Sequence, residues 1–386
     1  MGVGDDETQQ LFARAARVTL ALLAIALIVA LAIGGRSQQH ALGDVPGRMI
    51  AHGVHAGALP YVGWNCEYPI VVGIVQWLAS LGGGTPLGFL LVTSAFSAAL
   101  ALILVRLLVD HSGRRVWFAI FSPAFVLYAL HNWDLLALVP AVAGVLAFDD
   151  ERDVSAGVLI ALGACAKVFP AVFLPPLIAR RASERGWRAA RPLAASAALT
   201  TAILNLPFAL GSWRGWTYAF RFQGRRGITW GTLWSVPGHL PFIGPDLALR
   251  SAHTANVLSV AALLVGTALL CIVAVRRQLP AVAIGAAATG LFLIVNKVYS
   301  PNYDLWLVPW LALLPVARTR RIALGACATA VFVVVFGYFH APIPRGFTER
   351  VLPFLVVARA VAIAGLIATA VACTVTTKRA EPQLRR

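Results

Sequence analysis

The sequence predicts an all-α, polytopic membrane protein of about twelve transmembrane helices, with two large loops that carry interfacial helices. Three observations predict it. Of 386 residues, 59% are apolar and only 12% charged, against roughly 25% charged in soluble domains, and the mean hydropathy is +0.78. Apolar stretches long enough for the ~30 Å hydrocarbon core recur along the whole chain. Lysine and arginine collect in the short segments between them, as they do in the cytoplasmic loops of membrane proteins. That explains the net charge of +16 without nucleic acid as a partner.

Taken in order, the first span is 16–34. Its apolar run from Val18 to Ile33 is long for a signal-peptide core and lacks a small-residue cleavage pattern. The segment 68–81 is apolar but short, between a loop and "LGGGTP", and reads as an interfacial or re-entrant helix. Spans follow at 86–109, 116–130, 133–148, 154–166, 169–179 and 192–209, and then at 254–275, 280–295, 303–316, 321–338 and 351–373. The stretch 154–179 is broken at Lys167–Pro170, and broken helices at membrane depth are tolerated where they line a cavity.

Leaving 68–81 out of the crossings puts both termini in the cytoplasm, together with 20 of the 32 basic residues. Counting it as a span would put "RRASERGWRAAR" (180–191) and "RTRR" (318–321) outside, against the positive-inside rule. The acidic loop "DDERD" (149–153) weighs little, since acids contribute little to orientation. The chain is one integral membrane unit, 1–386, with large outer segments at 35–85 and 210–253. In the second, "WRGWTYAFRF" sets Trp213, Trp216 and Phe220 at helical spacing, with Arg214 and Arg221 off that stripe. Such a helix lies flat at headgroup level.

This topology gathers the polar residues near span ends on the outer side: Asp44, Glu67, His131, Asn132, Asp134, Lys167, Lys297, Tyr299 and Tyr303, with Arg214, Arg221, Arg225 and Arg226. Ionisable groups at membrane depth face a bundle interior or an aqueous cavity, so one outward-facing polar cavity is expected. A carboxylate among many cations suits transfer of a group from a lipid phosphate. The acid takes the acceptor's proton, and the basic groups hold the departing phosphate. The five cysteines show neither a disulfide framework nor a zinc pattern. The outer histidines lack metal-ligand spacing, and no metal or cofactor is expected.

Each candidate also has a simpler role. Asp44, before Val45-Pro46, suits a helix N-cap, and Glu67 suits the dipole of the helix that follows. Asp134 suits the cap of its own span, and Lys167 and Lys297 suit snorkelling to the interface. A lone histidine such as His131 is more often structural than catalytic. The "RFQGRRG" run (221–227) is a phosphate contact or a patch for anionic headgroups.

In order along the chain, Asp44, "GALPY" (57–61), "EYP" (67–69), "HNWDLLAL" (131–138), "KVFP" (167–170) and "YSPNYDLWLVPW" (299–310) resemble the GT-C glycosyltransferases. The chain looks most like the polyprenol-phosphate-mannose-dependent α-1,2-mannosyltransferases of glycosyltransferase family 87. The resemblance implies a GT-C fold and a polyprenyl-phosphate sugar donor, with transfer by inversion to a glycolipid or polysaccharide of the cell envelope. It implies an outer-loop Asp as general base, which falls on Asp44. Lys297, Arg214, Arg221, Arg225, Arg226 and Lys167 are then donor-phosphate candidates. Glu67, Tyr68, His131, Asn132, Asp134, Tyr299 and Tyr303 are cavity or acceptor candidates. A lipid transporter or flippase is the rival reading, although no internal repeat of the transporter kind is evident. A GT-C enzyme moving another sugar, such as arabinofuranose, is the other.

Overall fold

The computed structural model describes residues 3–33, 58–82, 85–239, 251–340 and 345–373. Among them there is no β-strand, only an isolated bridge between Pro60 and Trp64. Sixteen α-helices follow one another among the described residues. The first half holds α1 (Val3–Ile33), α2 (Ile70–Gly82), α3 (Pro86–Ser112), α4 (Val116–Ile120), α5 (Pro123–Tyr128), α6 (Asp134–Asp149), α7 (Asp153–Ala164) and α8 (Leu174–Arg185). The second holds α9 (Trp187–Gly211), α10 (Trp213–Trp216), α11 (Tyr218–Arg225), α12 (Ala252–Arg277), α13 (Ala281–Val295), α14 (Val308–Leu313), α15 (Arg318–His340) and α16 (Arg345–Ala372).

Among the described residues, five segments are long and apolar enough to cross a membrane: Asp6–Val29, Leu87–Ile120, Trp187–Gly211, Ala252–Arg277 and Gly346–Ala372. The remaining apolar segments form helices too, but several are short or interrupted. Proline is the physical reason at three of these places. Pro123 starts α5 and thereby separates it from α4. Pro170 and Pro301 open 3₁₀ segments at Phe169–Phe173 and Pro301–Leu307 instead of α-helix. A proline lacks the N–H that would continue the ladder, so it is accommodated in a first turn. The break expected at Lys167–Pro170 lies between the end of α7 and that 3₁₀ segment. The short apolar stretch before "LGGGTP" is α2, whose 13 residues span about 20 Å at 1.5 Å per residue. That falls short of the hydrocarbon core.

The core is built on α6, in which every residue from Asp134 to Phe148 except Ala143 is buried. It packs against α3, α7 and α13, and α7 in turn packs against α9. Small residues permit the close crossings. A Cβ at Gly163 would lie 2.7 Å from Ala137 O, and one at Gly144 would lie 2.6 Å from Ile160 Cγ1. At Gly157 a Cβ would run into the carbonyl of Leu193. Glycine at such crossings lets helix backbones approach without lipid between them. By contrast, α9 and α12 turn large apolar side chains outward, among them Leu199, Ile203, Leu206 and Leu210 on α9 and Val257, Val260 and Leu264 on α12. Those faces are suited to lipid.

Two ends of the bundle differ in chemistry. At one end the acidic turn meets the basic one: Arg181 Nη2 lies 2.7 Å from Asp153 Oδ1, Arg185 pairs with Glu151, and Asp149 Oδ1 accepts from Ala281 N at 3.0 Å. At the other end the turn before α6, the break after α7 and the C-terminal end of α13 surround a cavity.

Candidate functional site

The cavity, of about 380 Å³, is lined by polar side chains from segments far apart in sequence. Glu67 and Tyr68 come from the segment before α2, Asn132 from the turn before α6, and Lys167 from the break after α7. Gln223 and Arg226 come from α11 and its end, Asn256 and Ser259 from α12, Asn296 and Lys297 from the end of α13, and Tyr303 and Trp306 from the 3₁₀ segment. Phe220, Val260, Leu263, Phe292 and Val295 give it an apolar side. Since Phe220 and Val260 are also exposed, the cavity wall runs out onto the lipid-suited face of α12.

Several local devices hold the walls. The segment 58–69 is tied by Tyr61 Oη donating to Tyr68 O at 2.8 Å and by Trp64 Nε1 donating to Ala58 O at 3.1 Å. Tyr61 itself sits at a φ of 66°, a left-handed conformation uncommon outside glycine, and its carbonyl lies against Gly215 with no room for a Cβ. On the opposite wall, Thr229 N donates to Lys297 O at 3.1 Å, Tyr299 N to Thr229 Oγ1 at 2.8 Å, and Trp234 Nε1 to Val295 O at 2.7 Å. These bonds bind the 226–235 stretch to the end of α13.

Lys167 is the most constrained cation. Its Nζ lies 2.5 Å from Asp134 Oδ1 and within 5.4–5.8 Å of the ring centroids of Tyr303, Trp306 and Tyr68. Asp134 is fully buried (0% exposed), and it also accepts from Trp306 Nε1 at 2.7 Å and Asn302 Nδ2 at 2.6 Å. A buried carboxylate costs several kcal/mol unless paired and hydrogen-bonded, and here three donors satisfy it. The rings are stacked because 3₁₀ geometry eclipses residues three apart. Tyr303 lies over Trp306 at 4.2 Å, and Phe169 covers the same indole at 4.0 Å. Tyr68 Oη donates to Asn132 Oδ1 at 3.4 Å, which joins this cluster to the next wall.

Lys297 is buried, and its ammonium donates to Gly224 O at 3.4 Å and to Arg226 O. Burial first, and the Arg226 guanidinium second, push it below the ordinary lysine value.

The fourteen residues singled out from sequence divide as follows. Glu67, Tyr68, Asn132, Lys167, Arg226, Lys297 and Tyr303 meet in the cavity. Arg214, Arg221, Arg225 and again Arg226 line a second, open cavity on the other side of α11, with Tyr218 and Phe222. Asp134 stands behind the wall, bonded to Lys167, so it supports the cavity without lining it. His131 lies edge-on to the Tyr128 ring at 5.9 Å and lines neither cavity. Tyr299 is buried, with its hydroxyl on Asp304 Oδ1 at 2.5 Å. Asp44 lies outside the described residues.

Sequence reasoning missed Asn302, Asp304, Trp306 and Arg359. The first three sit in the "YSPNYDLWLVPW" stretch, Asn302 just before the span 303–316 and Asp304 and Trp306 within it. Arg359 carried a signal of its own, a cation in the middle of an apolar run, where an ionisable group marks a site or its support. Its guanidinium lies 3.5 Å over the Tyr299 ring and donates to Gly231 O.

Fold and cavity define a class: an all-helical membrane protein with a cation-bearing polar cavity that opens beside lipid-suited helices. The family model of glycosyltransferase family 87 matches residues 68–301, and the chain belongs to that family. It is therefore a glycosyltransferase, which favours the enzyme over the transporter and implies a donor and an acceptor. No curated protein matches the chain.

Proposed function

We propose that the protein transfers a sugar, mannose in the first instance, from a polyprenyl phosphate to a hydroxyl of an extracytoplasmic glycolipid or polysaccharide. The observation that carries this reading is the make-up of the cavity. Lys297 and Arg226 stand on a wall that continues through Phe220, Leu263 and Val260 to an exposed apolar helix face. A donor with an anionic head and a long apolar tail needs that combination, whereas a nucleotide sugar has no tail to place.

In this reading the acceptor oxygen attacks the anomeric carbon from the face opposite the phosphate. The carbon–oxygen bond to phosphate breaks, the configuration inverts, and the phosphate leaves with the bonding pair. Asp44, fourteen residues before the Ala58 that begins the described cavity-wall segment, takes the acceptor's proton. Lys297 and Arg226 offset the charge that grows on the phosphate. Lys167, already neutralised by Asp134, offers its remaining N–H groups to sugar hydroxyls beside the Tyr68 and Tyr303 rings. The product polyprenyl phosphate stays in the lipid phase.

The test is reconstitution in proteoliposomes with labelled polyprenyl-phosphate mannose and a membrane glycolipid extract. Transfer with release of polyprenyl phosphate is expected. Asp44→Asn should lower the rate by about 10²–10⁴-fold, the range of a lost general base, while donor binding persists. Near-normal turnover by that variant removes Asp44 as the base, and transfer from a different lipid-linked sugar revises the donor.

A further inference from the structure

The second cavity shares only Arg226 with the site of the chemistry above. It is an open groove of about 460 Å³ on the outer side of α10 and α11, lined by Arg214, Arg221, Arg225 and Arg226 with Tyr218 and Phe222. No carboxylate lines it among the described residues, so four like charges face one space. The groove is partly preset: Arg221 donates to the carbonyl of Arg214, and the Tyr218 and Phe222 rings lie 6.2 Å apart, inclined by 25°. Its depth relative to lipid follows from the helices that enter and leave it. The outward leucines of α9 run to Leu210, the most exposed large apolar side chain among the described residues at 83%, and α10 begins three residues later. On the far side, Asn256 of α12 donates to Gly224 O at 2.6 Å, next to the exposed Val257 and Val260. The arginines therefore sit where two lipid-suited faces end, which is headgroup depth.

We propose that this groove is a binding site for the phosphodiester headgroup of an anionic phospholipid, on the opposite side of α11 from the donor cavity and sharing only Arg226 with it. Guanidinium forks match phosphate oxygens in pairs, and the two rings supply a floor for the glycerol and first methylenes. Because α11 also walls the donor cavity, and Lys297 is bonded to the carbonyls at its end, a lipid held there steadies that wall. The site is independent of which sugar the enzyme moves.

The test is binding of fluorescent short-chain phosphatidylglycerol and phosphatidylcholine to the full chain in neutral detergent. Phosphatidylglycerol is expected to bind at least tenfold more tightly, and Arg214→Gln/Arg221→Gln/Arg225→Gln to remove the preference. The corresponding triple lysine variant should keep a measurable preference, and Arg188→Gln, at the other end of α9, should change nothing. The elution volume of each variant on size exclusion is checked against wild type, so that a misfolded variant is not scored. Equal binding of both lipids by the wild type overturns the proposal. Displacement by inorganic phosphate as effective as by lysophosphatidylglycerol overturns the lipid assignment in favour of a free-phosphate site. Neither measurement depends on sugar transfer, so a failure here is distinct from a failure of the proposed activity.

Discussion

At the scale of single residues, the cations of this protein have different partners and so different work. Lys167 is neutralised by Asp134, whereas the Lys297 ammonium donates to the carbonyls of Gly224 and Arg226 and has the Arg226 guanidinium beside it. Removing one partner of the buried pair should cost about 3–5 kcal/mol, because it strands the other charge; Asp134→Ala, unfolded by denaturant in detergent, measures that. Replacing both together, as Asp134→Leu/Lys167→Met, should restore much of the stability but leave sugar transfer lost. A stable and active double variant would show the pair to be purely structural.

Lys297 carries a pH prediction. A lysine whose folded-state value is depressed opposes folding while both states stay protonated, and that opposition fades as pH rises from the folded to the unfolded value. Stability therefore gains over this alkaline window, while a phosphate contact made by the ammonium is lost across it. Lys297→Arg keeps its charge there, so its KM for donor should stay flat to higher pH than that of wild type. Parallel alkaline rises in both proteins would take Lys297 out of the phosphate site.

At the scale of elements, helix breaks and helix crossings do opposite jobs. The breaks at Pro170 and Pro301 replace α-helix with 3₁₀ turns, and those turns deliver Lys167, Tyr303 and Trp306 to one place. The crossings of α7 depend on having no side chain. Gly157→Leu should destabilise the α7–α9 contact by about 1–3 kcal/mol, the usual cost of overpacking, seen as a lower melting temperature with the site chemistry otherwise intact. Gly215→Ala is a different case, since its Cβ meets the backbone of Tyr61. It should displace the 58–69 segment, raise KM, and leave the helical content of the bundle unchanged by circular dichroism.

At the scale of the whole molecule, the helices agree on one polarity. The helix α6 runs from the Asp134 end to the Asp149 end, α13 returns from Ala281 to Val295, and α9 rises from Trp187 to Gly211. Asp149 at the end of α6 bonds Ala281 at the start of α13, and Val295 at the far end of α13 lines the cavity. Under the proposed orientation the cavity end is extracytoplasmic. Cysteines placed at Gln223 and at Ser183 in intact cells should label from outside with an impermeant reagent at the first position only. The reverse pattern would invert the topology.

The sequence by itself determined the membrane class, the helical make-up of the apolar segments, helix in the aromatic stretch after Trp213 and the gathering of Glu67, Lys167 and Lys297. Those follow from local apolar content, proline and charge, which are readable along the chain. It could not show that Asp134 and Lys167 are bonded, or that Arg226 lines both cavities while Arg214, Arg221 and Arg225 line only the second. It also passed over Asp304 and Arg359, because a charged group inside an apolar run gives no sign of the ring or carbonyl it meets. Only the tertiary structure decided these, since the partners lie 33 to 172 residues apart in sequence and a pairing made by packing leaves no local signal.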